Sequence, residues 1–125
     1  MVDKLTAFAS SCDELLCYCG GYGNFDYFAY KCVNLAKMQC SNIKNIFVSP
    51  YLNEQYIKNI ADHQKFDAII YPELEHIPLK FAILQRNKWM IDNCDILIGF
   101  VKHNWGGAAK TLAYARSKRK QIILL

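Results

Sequence analysis

The chain carries two short glycine turns, each directly after an apolar run. Glycines in that place can present backbone N–H groups to an anion. One turn is Gly106 and Gly107, followed by Ala108, after ILIGFV at 96–101. The other is Gly20, Gly21 and Gly23, after LLCYC at 15–19. A helix opening at such a turn adds partial positive charge to its unpaired N–H groups, so phosphate is the ligand this chemistry favours. Neither spacing is the full dinucleotide fingerprint, and a bare glycine pair is weak evidence alone. Glycine also serves simply to supply positive φ in a turn.

The neighbouring side chains have two readings each. Trp105 immediately precedes Gly106 and can stack on a base, whereas Trp89 lies among apolar residues and reads as core. His103 and Asn104 share the loop of Trp105, either as hydrogen-bonding groups for a ligand or as solvated loop residues. Thr111, one turn into the helix, can donate to phosphate or bond back to its own helix backbone. Asn24 or Asp26 can cap the helix after the first turn. Both are also ligand candidates, Asp26 through a ribose hydroxyl, although capping is the commoner role for Asp26. The basic run RSKRK at 116–120 complements a helix C-terminus. It lies at the far end of that helix from Gly106, and only Tyr114 offers a nearby aromatic platform for nucleic acid.

The elements that must position these residues alternate in type. Strands are expected at 15–19, 45–49 (NIFVS, stopped by Pro50), 67–71 (DAIIY, ended by Pro72), 95–101 and 121–125. Helices are expected at 3–10, from Asn24 or Asp26 onward, at 53–62 behind the cap Asn53, at 79–93 and at 108–118. In the second helix Phe25, Phe28, Ala29, Cys32, Leu35 and Ala36 recur at helical spacing. The PELEHIP loop at 72–78 has two prolines and little room for regular structure. Alternating strands and helices make a parallel α/β sheet, and continuous apolar runs at 15–19, 45–49 and 96–101 predict buried strands. Both glycine turns would then lie at the carboxyl edge, where open α/β sheets bind ligands.

Composition bounds the function classes. The 125 residues fit one domain, 1–125, with 53% hydrophobic and 21% charged residues, as in a folded globular chain. No apolar run reaches the ~18–20 residues needed to cross a bilayer, and the first 16 residues contain no apolar core of a secretory signal. A cytoplasmic location is therefore expected. The six cysteines include no C-x-x-C pair and lie far from the histidines, so no metal site is expected and they read as small buried hydrophobes. A net charge of +4 permits an anionic ligand without demanding nucleic acid.

Two segments, GGYGNFDYFA at 20–29 and RNKWMIDNCDILIGFVKHNWGGAAKTLAYA at 86–115, resemble the SLOG superfamily. That group comprises Rossmann-like domains related to the Lonely Guy phosphoribohydrolases and to the DNA-processing protein of natural transformation. The likeness is nearest to a branch of small Firmicute proteins and covers roughly 15–125. It implies a Rossmann-like three-layer α/β/α fold with a mostly parallel five-stranded sheet. The sheet is N-terminally shortened, since nothing in the first 14 residues matches the family's opening strand and its Gly-His-Arg turn. The Arg-Lys pair of the Lonely Guy enzymes falls on Arg86 and Asn87, and their paired glycines fall on Gly106 and Gly107. Arg86 would supply charge to the anion; alternatively it pairs with Asp92, Asp95 or Glu73 on the surface, worth about 0–1 kcal/mol. The family's third glycine and threonine are replaced by Ala109 and Lys110, and its glutamates by Leu112 and Ala113.

The resemblance thus implies a nucleotide-type pocket while leaving the hydrolase chemistry without its acids. The expected function is binding of a nucleotide or nucleotide-derived small molecule at the glycine edge, as in a sensor. The alternatives are a nucleoside-phosphate hydrolase using another carboxylate such as Asp26 or Glu73, and single-stranded nucleic-acid binding by analogy of fold. No separate cofactor is expected. Self-association is, because the aromatic content of 14% and the missing strand leave apolar surface to cover.

Overall fold

The computed structural model describes residues 1–21 and 23–125; Tyr22, within the first glycine turn, lies outside the described residues. The chain forms two compact units, Met1–Tyr71 and Pro72–Leu125.

The first unit runs α1 (Val2–Ser10), β1 (Leu15–Cys19), α2 (Asn24–Gln39), β2 (Ile43–Val48), α3 (Glu54–Ala61) and β3 (Ala68–Ile70). Its three strands pair in the order β1-β2-β3, all parallel. Leu15 lies opposite Ile43 and Cys19 opposite Phe47, while Ile46 to Val48 face Ala68 to Ile70. With a partner strand on each side and α2 packed against it, β2 is the buried strand: Ile43, Asn45, Ile46, Phe47 and Val48 are all in the core. It begins two residues before the expected 45, because Ile43 and Lys44 continue the ladder with Leu15 and Leu16.

The strand β1, at the end of this three-stranded ladder, is less covered than its apolar run predicts, with only Cys19 buried and Leu16 exposed. Helix α2 likewise splits its apolar set. Cys32, Val33 and Ala36 are buried, while Phe28 and Leu35 face solvent. The apolar stripe of α2 is wider than the surface it covers. Asn53 caps α3 as expected, its side chain accepting from the Tyr56 N–H at 2.9 Å.

One polar cluster threads this core. Asn45 is fully buried in the middle of β2; its side chain accepts from the Cys19 thiol at 3.1 Å and donates to Asn34 at 3.4 Å. Its backbone N–H donates to the Asp67 carboxylate at 2.7 Å, and the same oxygen accepts from Lys37 at 2.6 Å. Buried polar groups are tolerated where such bonds replace water. Burial pushes the Cys17 thiol up to about 11, and burial with the neighbouring Cys17 and Asp26 pushes Cys19 up to about 12. Both stay protonated at neutral pH and behave as small apolar groups with a weak donor. All six cysteines are free.

The second unit begins with the loop 72–78 and a short 3-10 turn, Leu79–Phe81. It continues through α4 (Ala82–Asp92), β4 (Ile96–Gly99), α5 (Gly107–Ser117) and β5 (Gln121–Leu124). The strands β4 and β5 form a parallel pair from Ile96 opposite Gln121 to Gly99 opposite Leu124. The expected strand 95–101 therefore stops at Gly99: β5 supplies four partners, and the Leu125 N–H closes on the Gly99 carbonyl at 2.9 Å. No residue of β4 is fully buried, unlike the prediction from its apolar run. Helices α4 and α5 pack together, with Ala82, Ile91, Leu112 and Ala115 in the core. The α/β class and parallel pairing agree with the sequence, and each glycine turn leaves the carboxyl end of its own ladder. Among the described residues no helix is long and apolar enough to cross a membrane.

The Asp67 carboxylate is held below its ordinary value, first by the Asn45 N–H and then by Lys37. Its stabilisation is therefore present above 3.8 and is lost as pH falls through the lowered folded value. Asp67→Asn should lose about 1–2 kcal/mol at neutral pH, between an exposed ion pair and a charge-assisted hydrogen bond. Urea titrations of both proteins between neutral pH and pH ~3 should converge toward the acid end of the series, since below its pKa the native side chain is uncharged too.

Candidate functional site

In the second unit the turn after β4 reaches Gly106, which caps α5 at φ +90°, a conformation that L side chains rarely adopt. The first helical hydrogen bond is Lys110 N–H to the Gly106 carbonyl at 3.0 Å. The N–H groups of Gly107, Ala108 and Ala109 precede it and have no acceptor inside the helix. Gly107 and Ala108 are exposed, and a Cβ on Gly107 would meet nothing within 4 Å. The opening of α5 is therefore an accessible set of donors at the positive end of a dipole.

A hydrogen-bonded chain joins this opening to α4. Arg86 is only 4% exposed, and its Nε donates to the Asn87 side-chain oxygen at 2.9 Å. The Asn87 amide donates to Thr111 Oγ1 at 3.2 Å, and that hydroxyl donates to the Gly107 carbonyl at 2.9 Å. Of the two readings of Thr111, the bond to its own helix is the one observed. The burial of Arg86 also rules out a role confined to a surface ion pair. Arginine is seldom buried this far unless it is satisfied by partners, and here Asn87 is one of them. Further along α5, Leu112 is buried and Ala113 exposed, neither with an ionisable group.

The loop before Gly106 holds His103 and Trp105 with ring centroids 4.6 Å apart and planes within 14°. Trp105 is 69% exposed, and His103 and Asn104 are exposed as well. Trp89 is half-buried on α4. The basic run is exposed from Arg116 to Arg119, and the Lys118 ammonium lies 5.4 Å from the centre of the Tyr114 ring.

The first unit's turn is built differently. Gly21 has φ +74°, and a Cβ there would meet the Phe47 ring at 2.5 Å, so this glycine is required by packing. Gly20 is buried against the Asp26 carboxylate, with Oδ2 3.0 Å from where its Cβ would sit. Gly23, at φ +99°, is exposed and open on that side. It is also the cap of α2, which corrects the expectation that Asn24 or Asp26 is the cap residue. A glycine in a conformation closed to other residues starts the helix one position earlier. Asn24 and Asp26 lie inside the first turn, where the acid still complements the dipole.

The sequence reading missed Gln64. Its Nε2 donates to the Gly21 carbonyl at 3.3 Å, and its buried Oε1 has no hydrogen-bond partner among the described residues. A lone glutamine 43 positions from its partner gives no local signal. Among the described residues no group of three or more His, Cys, Asp or Glu is arranged to hold a metal ion.

No family model matches the chain, and no curated protein matches it.

The two turns should respond oppositely to alanine. Gly21→Ala should destabilise the protein by about 1–3 kcal/mol, because the methyl group overpacks against Phe47 at a positive φ. Gly107→Ala should change stability by no more than about 0.5 kcal/mol, or raise it. Thermal unfolding of both variants beside the parent protein checks the pair.

Proposed function

We propose that the chain binds the phosphate of a nucleotide or nucleotide-derived small molecule at the opening of α5. On this proposal it is a SLOG-type, Rossmann-like three-layer α/β/α domain whose five strands share one mostly parallel sheet. The observation that supports the reading is the chain from buried Arg86 through Asn87 and Thr111 to Gly107. It ties a permanent cation to the element that presents three N–H donors with no acceptor inside the helix. Charge, donors and dipole then all favour an anion. The reading stops at binding, in the manner of a sensor, because Leu112 and Ala113 supply no general acid or base.

Calorimetric titration with AMP, ADP-ribose and a cyclic dinucleotide tests it. Gly107→Asp places a carboxylate where phosphate must approach and should abolish binding with the fold intact, since the position has room. Arg86→Ala should cost about 1.5–3 kcal/mol of affinity, roughly ten- to a hundredfold, with thermal unfolding run alongside to confirm folding. Lys118→Ala, at the other end of α5, should change affinity little. Equal losses from Lys118→Ala and Arg86→Ala would move the site to the basic run and favour nucleic acid.

Self-association belongs to the same proposal. Phe28, Leu35 and Met38 lie along α2 with 48%, 53% and 84% exposure, an apolar stripe that a second copy would cover. Sedimentation at about 50 μM, within the weak-dimer range, should show a species larger than the 14.4 kDa monomer. A monomer there would count against it.

A further inference from the structure

We infer that the stacked His103–Trp105 pair is the platform for the base of a mononucleotide, which makes the ligand a base-bearing nucleotide instead of a sugar phosphate. This rests on the phosphate reading of α5. Tryptophan is on average one of the more buried side chains, yet Trp105 keeps 69% of its surface exposed. It is not loose there: the near-parallel imidazole of His103 covers one face of the indole, and the high exposure leaves the other to solvent. An indole already fixed by one stacking partner has lost side-chain freedom before a ligand arrives, which lowers the entropic cost of stacking a second ring. Phe100, at the start of the same loop, is 51% exposed and adds apolar surface.

Position makes the platform specific to a small ligand. Trp105 lies two residues before Gly107, a backbone span of at most about 7 Å, so phosphate and base of one mononucleotide fall within reach of both. Stacking accepts any base through its π face, so the platform selects for the presence of a base more than for its identity.

The test uses a Trp89→Phe background, in which Trp105 is the sole tryptophan and its fluorescence reports the platform alone. The probes are AMP, ribose 5-phosphate and a short single-stranded oligoadenylate. AMP should quench the fluorescence and bind more tightly than ribose 5-phosphate. Adding Trp105→Leu should weaken AMP about five- to 150-fold, the range for base–aromatic stacking, and leave ribose 5-phosphate unchanged when binding is read by calorimetry. AMP and ribose 5-phosphate binding alike, with Trp105→Leu altering neither, overturns the platform while the phosphate reading stands. Failure of both small ligands overturns the phosphate reading and the platform with it. Oligoadenylate binding more tightly than AMP, with steep salt dependence, overturns the assignment to a mononucleotide in favour of single-stranded nucleic acid.

Discussion

A guanidinium taken out of water is tolerated only where hydrogen bonds or charge take over the role of the solvent. Arg86 sits in that position, 4% exposed on α4. Asn87, its neighbour in sequence, accepts from it and in turn donates across to Thr111 on α5. Thr111 reaches back to Gly107 and so ties the first turn of α5 to the packing of the two helices. The positioning of the α5 opening thus depends on a side-chain chain that one mutation at Asn87 would cut at its middle.

The first unit meets a comparable problem around a neutral buried amide. Asn45 is fully buried in the central strand, and Cys19, Asn34 and Asp67 share its hydrogen-bonding capacity. Its Gly20 and Gly21 are closed off by the Asp26 carboxylate and the Phe47 ring, whereas Gly106 and Gly107 are open. Two turns alike in composition therefore do different work. One packs a core, and the other leaves backbone donors uncovered.

Much of the fold was legible because its signals are local. Asn53 as a cap, the proline stops and the apolar runs place the helices and strands to within a few residues. Burial was less legible, since it depends on partners far away in sequence. The runs of β1 and β4 read as apolar as β2, yet among the described residues it is β2 that pairs with a strand on each side within its unit and has α2 packed against it. Arg86 drew notice through a resemblance, but the sequence could not tell a surface ion pair from a buried guanidinium. Gln64 was invisible for the same reason: its partner Gly21 is brought to it by the fold. The cap of α2 was misread because a glycine there leaves no side-chain signal.

The most direct measurement of the central claim is a backbone amide titration by NMR, adding AMP to the protein. The account predicts that the resonances of Gly107, Ala108 and Ala109 move first and furthest, with the Arg86 Nε–H shifting alongside them. Shifts centred on the basic run from Arg116 to Lys120, with the amides of Gly107 to Ala109 unmoved, would contradict it.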